Sequence, residues 1–310
     1  MKLGRGRQRV SFLILMLLCS AFIFPGFAKA QVSISPLTFE LTANPGEMIQ
    51  NALRVSNPSD ASIIFEMEVE DFTTAGEEGQ VIVSELGDEI YSMKKWISLD
   101  PWRFTVGPRE TQIVNFSIVV PERAEPGGHY ASILATVKGT AGGTGSGIGV
   151  SQKVGALVLL SVSGKIREEL FIREFSVPAF SERGPVSFTI RFDNVGSVHL
   201  RPLGLVAIAD FRGNKVAEIS FPQRNVLPGS TRKISVTWDK RYPIGKFSAT
   251  LVGSFGISNT PISAVTTFWV FPWKLALEIL AGLVVLLLIL VKTRRRFRAA
   301  FRVLFRGEPA

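Results

Sequence analysis

The chain has 310 residues, 46% of them hydrophobic, with 35 Lys and Arg, 26 Asp and Glu, two histidines and one cysteine. Its formal charge of +9 does not point to nucleic acid, because five bases lie at or before Lys29 and eight at or after Lys274, leaving 22 against 24 acids between Gln31 and Trp273. The lone Cys19 lies in an N-terminal apolar run, so the composition excludes disulfides and cysteine-metal sites from the rest of the chain.

Lys2, Arg5, Arg7 and Arg9 precede an apolar run from Val10 to Phe27, and Ala28-Lys29-Ala30 puts small residues at the two positions a signal peptidase reads. Residues 1–30 therefore read as a signal peptide, with an uncleaved signal anchor as the alternative. Leu18 stands before Cys19 where a lipoprotein signal needs a small residue, so lipidation is not expected.

From Gln31 to Trp273 no helical spacing persists. Short runs rich in Val, Ile, Thr and Phe alternate with Pro, Gly, Asn or Asp about every eight to twelve residues, the pattern of antiparallel β-sandwiches. About 240 residues suffice for two domains, assigned to 31–165 and 166–271. The first carries 16 acids and 9 bases; residues 166–273 carry 8 acids and 13 bases, for which a solvated face is the plain reading and affinity for an anionic envelope surface the sharper one.

In the first domain, strands are expected over Val32 to Leu41 and Ile49 to Ser56, with turns at Asn44-Pro45-Gly46 and Asn57-Pro58-Ser59-Asp60. Ser62 to Phe72 alternates, with Ile63, Phe65, Met67 and Val69 facing a core and Glu66, Glu68 and Glu70 facing away. Val81 to Val83 and Lys94 to Leu99 resume strand character, and Pro101 to Pro108 is read as a crossing between sheets. Thr111 to Val120 is a strand that buries Val114, Phe116, Ile118 and Val120. Tyr130 to Lys138 follows, then a flexible tip from Gly139 to Gly149. Gln152 to Ser163 returns with an apolarity that places it centrally in its sheet.

The run WISLDPWRFTVGPRETQIVNFSIVVPERAEPGGHYASILATV, residues 96–137, resembles the first domain of the WxL-interacting proteins of Gram-positive cell surfaces. The shared features are the Trp96 strand, the turn Val106-Gly107-Pro108-Arg109-Glu110, a strand ending at Pro121, and Pro126-Gly127-Gly128-His129-Tyr130 leading into the next strand. The opening from Val32 to Val69 is also similar to the first immunoglobulin-like domain of pilus chaperones. The resemblance implies a cell-surface protein whose first domain contacts peptidoglycan and whose second binds a partner protein.

In the second domain, strands are expected over Glu168 to Val177, Val186 to Asp193, the hairpin Leu203 to Phe211 and Val216 to Phe221, Arg232 to Trp238, Lys246 to Phe255 and Ile262 to Val270. Seven strands in about a hundred residues suit an immunoglobulin-like sandwich. Leu275 to Val291 then stays apolar except for Glu278 and runs into Lys292 and Arg294, Arg295 and Arg296. Its seventeen helical residues cover about 26 Å, lengthened by Trp269, Phe271 and Trp273, so residues 272–291 read as one membrane-spanning helix. Trp269, Trp273 and Lys274 anchor its outer end. Lys292 and the arginines hold the tail, residues 292–310, in the cytoplasm. In that tail Arg294, Arg298, Arg302 and Arg306 keep step with Phe297, Phe301 and Phe305, suiting it to lie on the inner leaflet.

The inventory for catalysis is thin. His129 and His199 fall in different domains, no serine lies in a hydrolase elbow, and the glycines at 139–149 lack a following Gly-Lys-Ser/Thr. No enzyme activity, cofactor or nucleic-acid partner is expected. Glu66, Glu68, Glu70 and Asp71 form the sharpest charge cluster. Carboxylates two apart on a strand lie about 6.8 Å from each other, so a solvated or neutralised face is the plain reading and a calcium site with the following loop the sharper one. Trp102, with Arg103 beside it, is the candidate for stacking on a sugar, against core packing; Trp96 and Trp238 read as core. The expectation is an all-β ectodomain of two immunoglobulin-like antiparallel β-sandwiches in tandem followed by one transmembrane helix, a binding or scaffold protein for cell-wall glycan or surface proteins. The alternative is a chaperone-like factor capturing strands of secreted subunits along an exposed edge, with Gln152 to Ser163 as the candidate.

Overall fold

In the computed structural model, residues 32–84, 90–140 and 152–306 are described. The expected signal peptide with Cys19, and the expected flexible tip beyond Thr140, lie outside them.

The first segment is two strands rather than one. Pro36, which has no N–H to give to a ladder, separates β1 (Ser33–Ser35) from β2 (Thr38–Ala43), and the two join different sheets. Then come β3 (Met48–Ser56), β4 (Ile63–Ala75) and β5 (Gln80–Ser84). The expected strand at Lys94 begins as a 3₁₀ turn, Lys94–Trp96, and becomes β6 (Ile97–Asp100) only afterwards. The domain is completed by β7 (Arg103–Val106), β8 (Thr111–Val119), β9 (Gly127–Thr140) and β10 (Lys153–Val162). One sheet has the order β1-β3-β8-β6; the other is β2-β10-β9-β4-β5, with β7 also on β4. The crossing read at Pro101 to Pro108 is therefore the step from β6 in one sheet to β7 in the other.

The second sandwich contains β11 (Leu170–Ser176), β12 (Phe180–Ser181), β13 (Val186–Asn194), β14 (Leu203–Asp210), β15 (Lys215–Ser220), β16 (Thr231–Trp238), β17 (Gly245–Phe255) and β18 (Thr260–Val270). Its sheets are β11-β13-β16 and β12-β18-β17-β14-β15. Pairing is antiparallel throughout both domains except for β2 with β10 and β12 with β18. The two-residue β12 has too little pattern to be read from sequence.

Alternation fixes which faces meet. Ile63, Phe65 and Met67 on β4 and Val114, Phe116 and Ile118 on β8 are buried in one core with Leu53, Ile133 and Leu160. Val186, Phe188, Ile190 and Phe192 on β13 fill the other with Trp238, Leu251 and Phe268. Each fully buried large apolar side chain stabilises its core by roughly 1.5–3 kcal/mol relative to exposure. Each sandwich also buries one asparagine just where its second long strand ends. Asn57 Nδ2 donates to the carbonyls of Ala61, Val106 and Gly107 at 2.7, 3.1 and 2.9 Å, and its Oδ1 accepts from Ser59 N at 3.0 Å. Asn194 Nδ2 donates to Val198 and Val226 carbonyls, both at 2.8 Å, while its Oδ1 accepts from Gly196 N at 2.9 Å. In both domains an amide thus adds donors to loop carbonyls, of which Val226 O and Gly107 O also accept from Leu200 N and Glu110 N.

After β18 only Phe271 and Pro272 precede α1 (Trp273–Arg306). Its stretch Trp273–Thr293, 21 residues, is apolar enough to cross a membrane, and none of it is covered by the sandwiches. At 1.5 Å per residue it spans about 32 Å, enough for a hydrocarbon core of roughly 30 Å.

Candidate binding site

β4 is long because its halves have different partners along one edge: Ile63–Glu66 pair with β7 and Asp71–Ala75 with β5. The second half carries the hairpin outward to a turn whose Gly76 and Gly79 both take positive φ, 60° and 72°, a conformation glycine adopts without a steric penalty. This turn lands on the second sandwich. Lys233 N donates to Glu77 O at 2.8 Å, and Lys233 Nζ pairs with Glu78 at 3.1 Å. Arg191 grips the Glu77 carboxylate and reaches Glu174 at 3.1 Å. The Arg191 hydrogen bond holds Glu77 below the usual carboxylate range.

A second set of contacts locks the junction from the other side. Gly128 N donates to Ser197 O at 2.8 Å, and a Cβ on the preceding Gly127 would lie 2.6 Å from that same oxygen, so the two backbones touch only because position 127 has no side chain. Phe72, Tyr130 and Leu159 of the first domain pack with Leu227 of the second. The Tyr130 hydroxyl lies 3.4 Å from His199 Nδ1. Burial pushes His199 down to about 4 and the Tyr130 phenol up. His129 is buried too: its Nε2 contacts Glu125 O at 2.9 Å, its ring centre lies 4.5 Å from that of Trp96, and burial lowers its pKa.

In the angle held by these contacts lies the outer edge of β5. Among the described residues the strand ends its sheet and pairs with β4 alone. Val81, Ile82 and Val83 are all exposed, Ile82 by 52%, although they alternate between two faces, so neither face rests on a core. Beside them a cavity of about 250 Å³ between the sandwiches is lined by Thr74, Val81 and Leu227 with Arg201, Arg224 and Arg232. Arg201 pairs with Glu40. Arg224 and Arg232 belong to no ion pair among the described residues, and Arg232 Nε is buried without a hydrogen-bond partner. Burial and then the neighbouring Arg224 charge lower the Arg232 pKa. Among the described residues the site thus offers an unpaired backbone edge, an apolar strip and two guanidinium groups outside any ion pair, with the Glu78 charge acting on Arg232 from a distance.

The strand expected to provide such an edge does not. β10 is bonded along its whole length to β9, and Leu157–Val162 are covered on the other side by Thr38–Ala43 of β2. This corrects Gln152 to Ser163 as the capturing edge; the central position read for the same run is what the sheet order places there. At Val81 to Val83 the sequence shows a short strand and nothing that marks it as an open edge, since an edge depends on neighbours distant in the chain.

The acidic candidates are not brought together around one point. Glu68 pairs with Lys153 at 2.8 Å and Lys138 at 3.7 Å, Glu66 with Lys138 at 3.6 Å, and Glu70 with Lys94 at 2.5 Å, while Asp71 accepts from Ser92 Oγ at 2.8 Å. The hydrogen bond from Lys153 lowers the Glu68 pKa. Bases from β9, β10 and the 3₁₀ turn neutralise this face, and among the described residues no three His, Cys, Asp or Glu converge at metal-binding distance. The calcium reading gives way to ion pairing.

Trp102 stands at the step from β6 to β7 and is 59% exposed, and Arg103 beside it is exposed and in register with Glu66. A groove of about 550 Å³ on the outer face of the β3-β8-β6 sheet, lined by Gln50, Asn51, Ser98, Asp100, Asn115 and Ser117, ends two residues before it. Trp238 is buried, and Trp96, half-buried on the 3₁₀ turn, packs against the first core. Trp269 and Trp273 flank the start of α1, exposed; Lys274 pairs with Glu182 at 2.8 Å; Lys292, Arg294, Arg295 and Arg296 continue the helix.

These features define a class: two immunoglobulin-like β-sandwiches in tandem, joined firmly at one junction and followed by a single apolar helix. No protein-family model matches the chain, and no curated protein does. Among solved structures it is similar to the class 5 fimbriae chaperone CfaA, with 12% identity and a TM-score of 0.40 over 76% of this chain and 99% of that one. It is similar to the periplasmic chaperone SfaE, with 12% identity and a TM-score of 0.36 over 78% of this chain and 100% of that one. A third likeness is to the CsuC-CsuE chaperone-tip adhesion subunit pre-assembly complex of Acinetobacter baumannii, with 14% identity and a TM-score of 0.37 over 78% of this chain and 100% of that one. At such identities the likeness concerns the fold alone.

Proposed function

We propose that the protein is a membrane-anchored, extracytoplasmic binding protein that captures an extended segment of a secreted or surface polypeptide along β5, as an assembly chaperone would, and catalyses no reaction. In this reading residues 1–30 are the signal peptide and the two sandwiches, 31–165 and 166–271, face outward. Residues 272–291 cross the membrane, and the basic tail, 292–310, stays inside. The tryptophans at the helix start and the bases after Thr293 support that orientation.

The observation that carries the reading is the β5 edge. Sheets ordinarily protect an end strand with charge, proline or a cover. β15, at the end of its own sheet, has Lys215 and Glu218. β5 has Gln80-Val81-Ile82-Val83-Ser84, with no charge and no proline. A guest strand would gain main-chain hydrogen bonds there, and an acidic residue or terminal carboxylate on it would meet Arg224 and Arg232. A photo-crosslinking residue at Ile82 in intact cells tests this. The expected result is an adduct with a secreted polypeptide that disappears with Val81→Lys and Val83→Lys together; the same adducts from a crosslinker at Lys215 overturn the reading.

A second reading, adhesion to wall glycan as in the WxL-interacting family, draws on Trp102 and the polar groove beside it. Amides, hydroxyls and one carboxylate around Leu99 and Phe116, with an exposed indole two residues beyond Asp100 in the chain, suit a hydroxyl-rich ligand. It requires the protein to sediment with purified peptidoglycan and Trp102→Ala to release it. Sedimentation unchanged by that substitution removes the assignment of Trp102.

A further inference from the structure

The end of the second sandwich from which α1 departs is built unlike the rest of the surface. β18 runs toward the helix, and its last residues pair with the start of β17, Val270 with Gly245, and with β12, Trp269 with Phe180. The loop before β17, residues 239–244, therefore lies at the helix end. So does the β14–β15 hairpin, because Asp210 is in register with Phe247, which in turn faces Phe268. Lys274 of the first helical turn pairs with Glu182, and Gly184 N donates to Arg241 O at 3.0 Å, tying helix, β12 loop and β17 loop into one surface.

Aromatic rings and cations meet repeatedly on this surface. Four cation–ring contacts lie here: Arg212 over Phe211 at 5.1 Å, Arg241 over Tyr242 at 5.3 Å, Lys274 over Trp273 at 5.7 Å and Lys240 over Trp238 at 5.8 Å. Phe211 is 70% exposed and Ile244 64%, at hairpin and loop tips where no neighbour covers them. The nearby acids do not cancel the charge. Glu182 pairs with Lys274, and Asp210, which accepts the backbone N–H groups of Arg212 and Asn214, keeps its charge beside Arg212, so Asp210 and Asp239 stand against Arg212, Lys240 and Arg241 and leave the bases in excess.

We propose that this end is a seat for an anionic bilayer surface: Phe211, Tyr242 and Ile244 enter the headgroup layer while Arg212, Lys240 and Arg241 bind phospholipid phosphates, fixing the ectodomain upright around its helix. The occupant follows from continuity. A helix that enters the membrane two residues after β18 leaves this surface facing the same leaflet, and rings paired with cations are what an interface of apolar and phosphate layers accommodates. The inference rests on α1 being membrane-embedded.

The test places one fluorophore at Ile244→Cys or Ile257→Cys in full-length protein with Cys19→Ser, reconstituted in nanodiscs of phosphatidylglycerol containing nitroxide-bearing lipid. These isoleucines flank opposite ends of β17, about 40 Å apart at strand rise. Quenching at 244 is expected to exceed that at 257 several-fold, and to fall with Arg212→Gln, Lys240→Gln and Arg241→Gln combined or with phosphatidylcholine in place of phosphatidylglycerol. Equal quenching at the two positions in protein that has entered the discs overturns the seat and leaves the membrane helix standing. Quenching at 244 indifferent to both the triple variant and the lipid overturns the phosphate contacts. Failure of the full chain to enter discs removes the helix reading and the seat with it.

Discussion

The two sandwiches share a plan and differ at their margins. Each closes its core with a buried asparagine, Asn57 or Asn194, that donates to loop carbonyls, and each packs its sheets through alternating Val, Ile, Leu and Phe. The first leaves an uncharged edge open at β5. The second charges its corresponding edge and places most of its exposed rings, though not Phe171, at the end where the helix begins. The cores set stability, and what distinguishes the domains functionally lies on strand edges and loop tips, where packing places few demands on residue choice.

The shared feature gives the largest expected effect. Asn57→Ala removes a donor from the Ala61 and Val106 carbonyls and the acceptor of Ser59 N, Asn194→Ala removes the donor to Val198 O and the acceptor of Gly196 N, and each is expected to cost about 3 kcal/mol in denaturant or thermal unfolding. A loss below about 0.5 kcal/mol in either would break the equivalence of the two domains.

The junction between the domains comes next, through pH. His199 has a folded pKa of about 4 because it is buried, below the usual ~6.5 of the unfolded chain. Between those values the unfolded chain binds the extra proton, so stability is full above about pH 6.5, falls as pH drops toward 4 and then levels off. The loss is on the order of 3 kcal/mol. His129, depressed by burial too, acts in the same direction. Unfolding midpoints measured from pH 7 to pH 4 should decline, and His199→Gln should flatten the curve; a wild-type profile without slope would refute the buried neutral imidazole.

Arg191→Ala should have a smaller effect, since its pairs with Glu77 and Glu174 are part-exposed and screened by salt. Faster amide exchange at Lys233, whose N–H is held by Glu77 O, is the expected readout, with the cores unchanged. The smallest effect belongs to Trp102→Ala, within about 0.5 kcal/mol because the indole is exposed. A larger loss would return Trp102 to a packing role.

The face assignments were legible because they are local. A strand alternates at period two, so Ile63, Phe65 and Met67 against Glu66, Glu68 and Glu70 declare their sides without knowledge of any partner. The same holds for Val114, Phe116 and Ile118, and apolarity over helix length alone marked α1. Neutralisation of the acidic strand was legible only as one of two readings, because Lys94, Lys138 and Lys153 lie far along the chain from the glutamates they meet.

The sequence by itself thus determined an all-β chain with one long apolar helix, since periodicity and helix length are properties of neighbouring residues. Only the tertiary structure decided that Gln152 to Ser163 is enclosed while Val81 to Val83 is open, because an edge is defined by the partner a strand lacks. It alone gathered Phe211, Tyr242 and Trp273, each about thirty residues from the next, onto one end, since such a surface exists only once hydrogen-bond register has aligned separate strands.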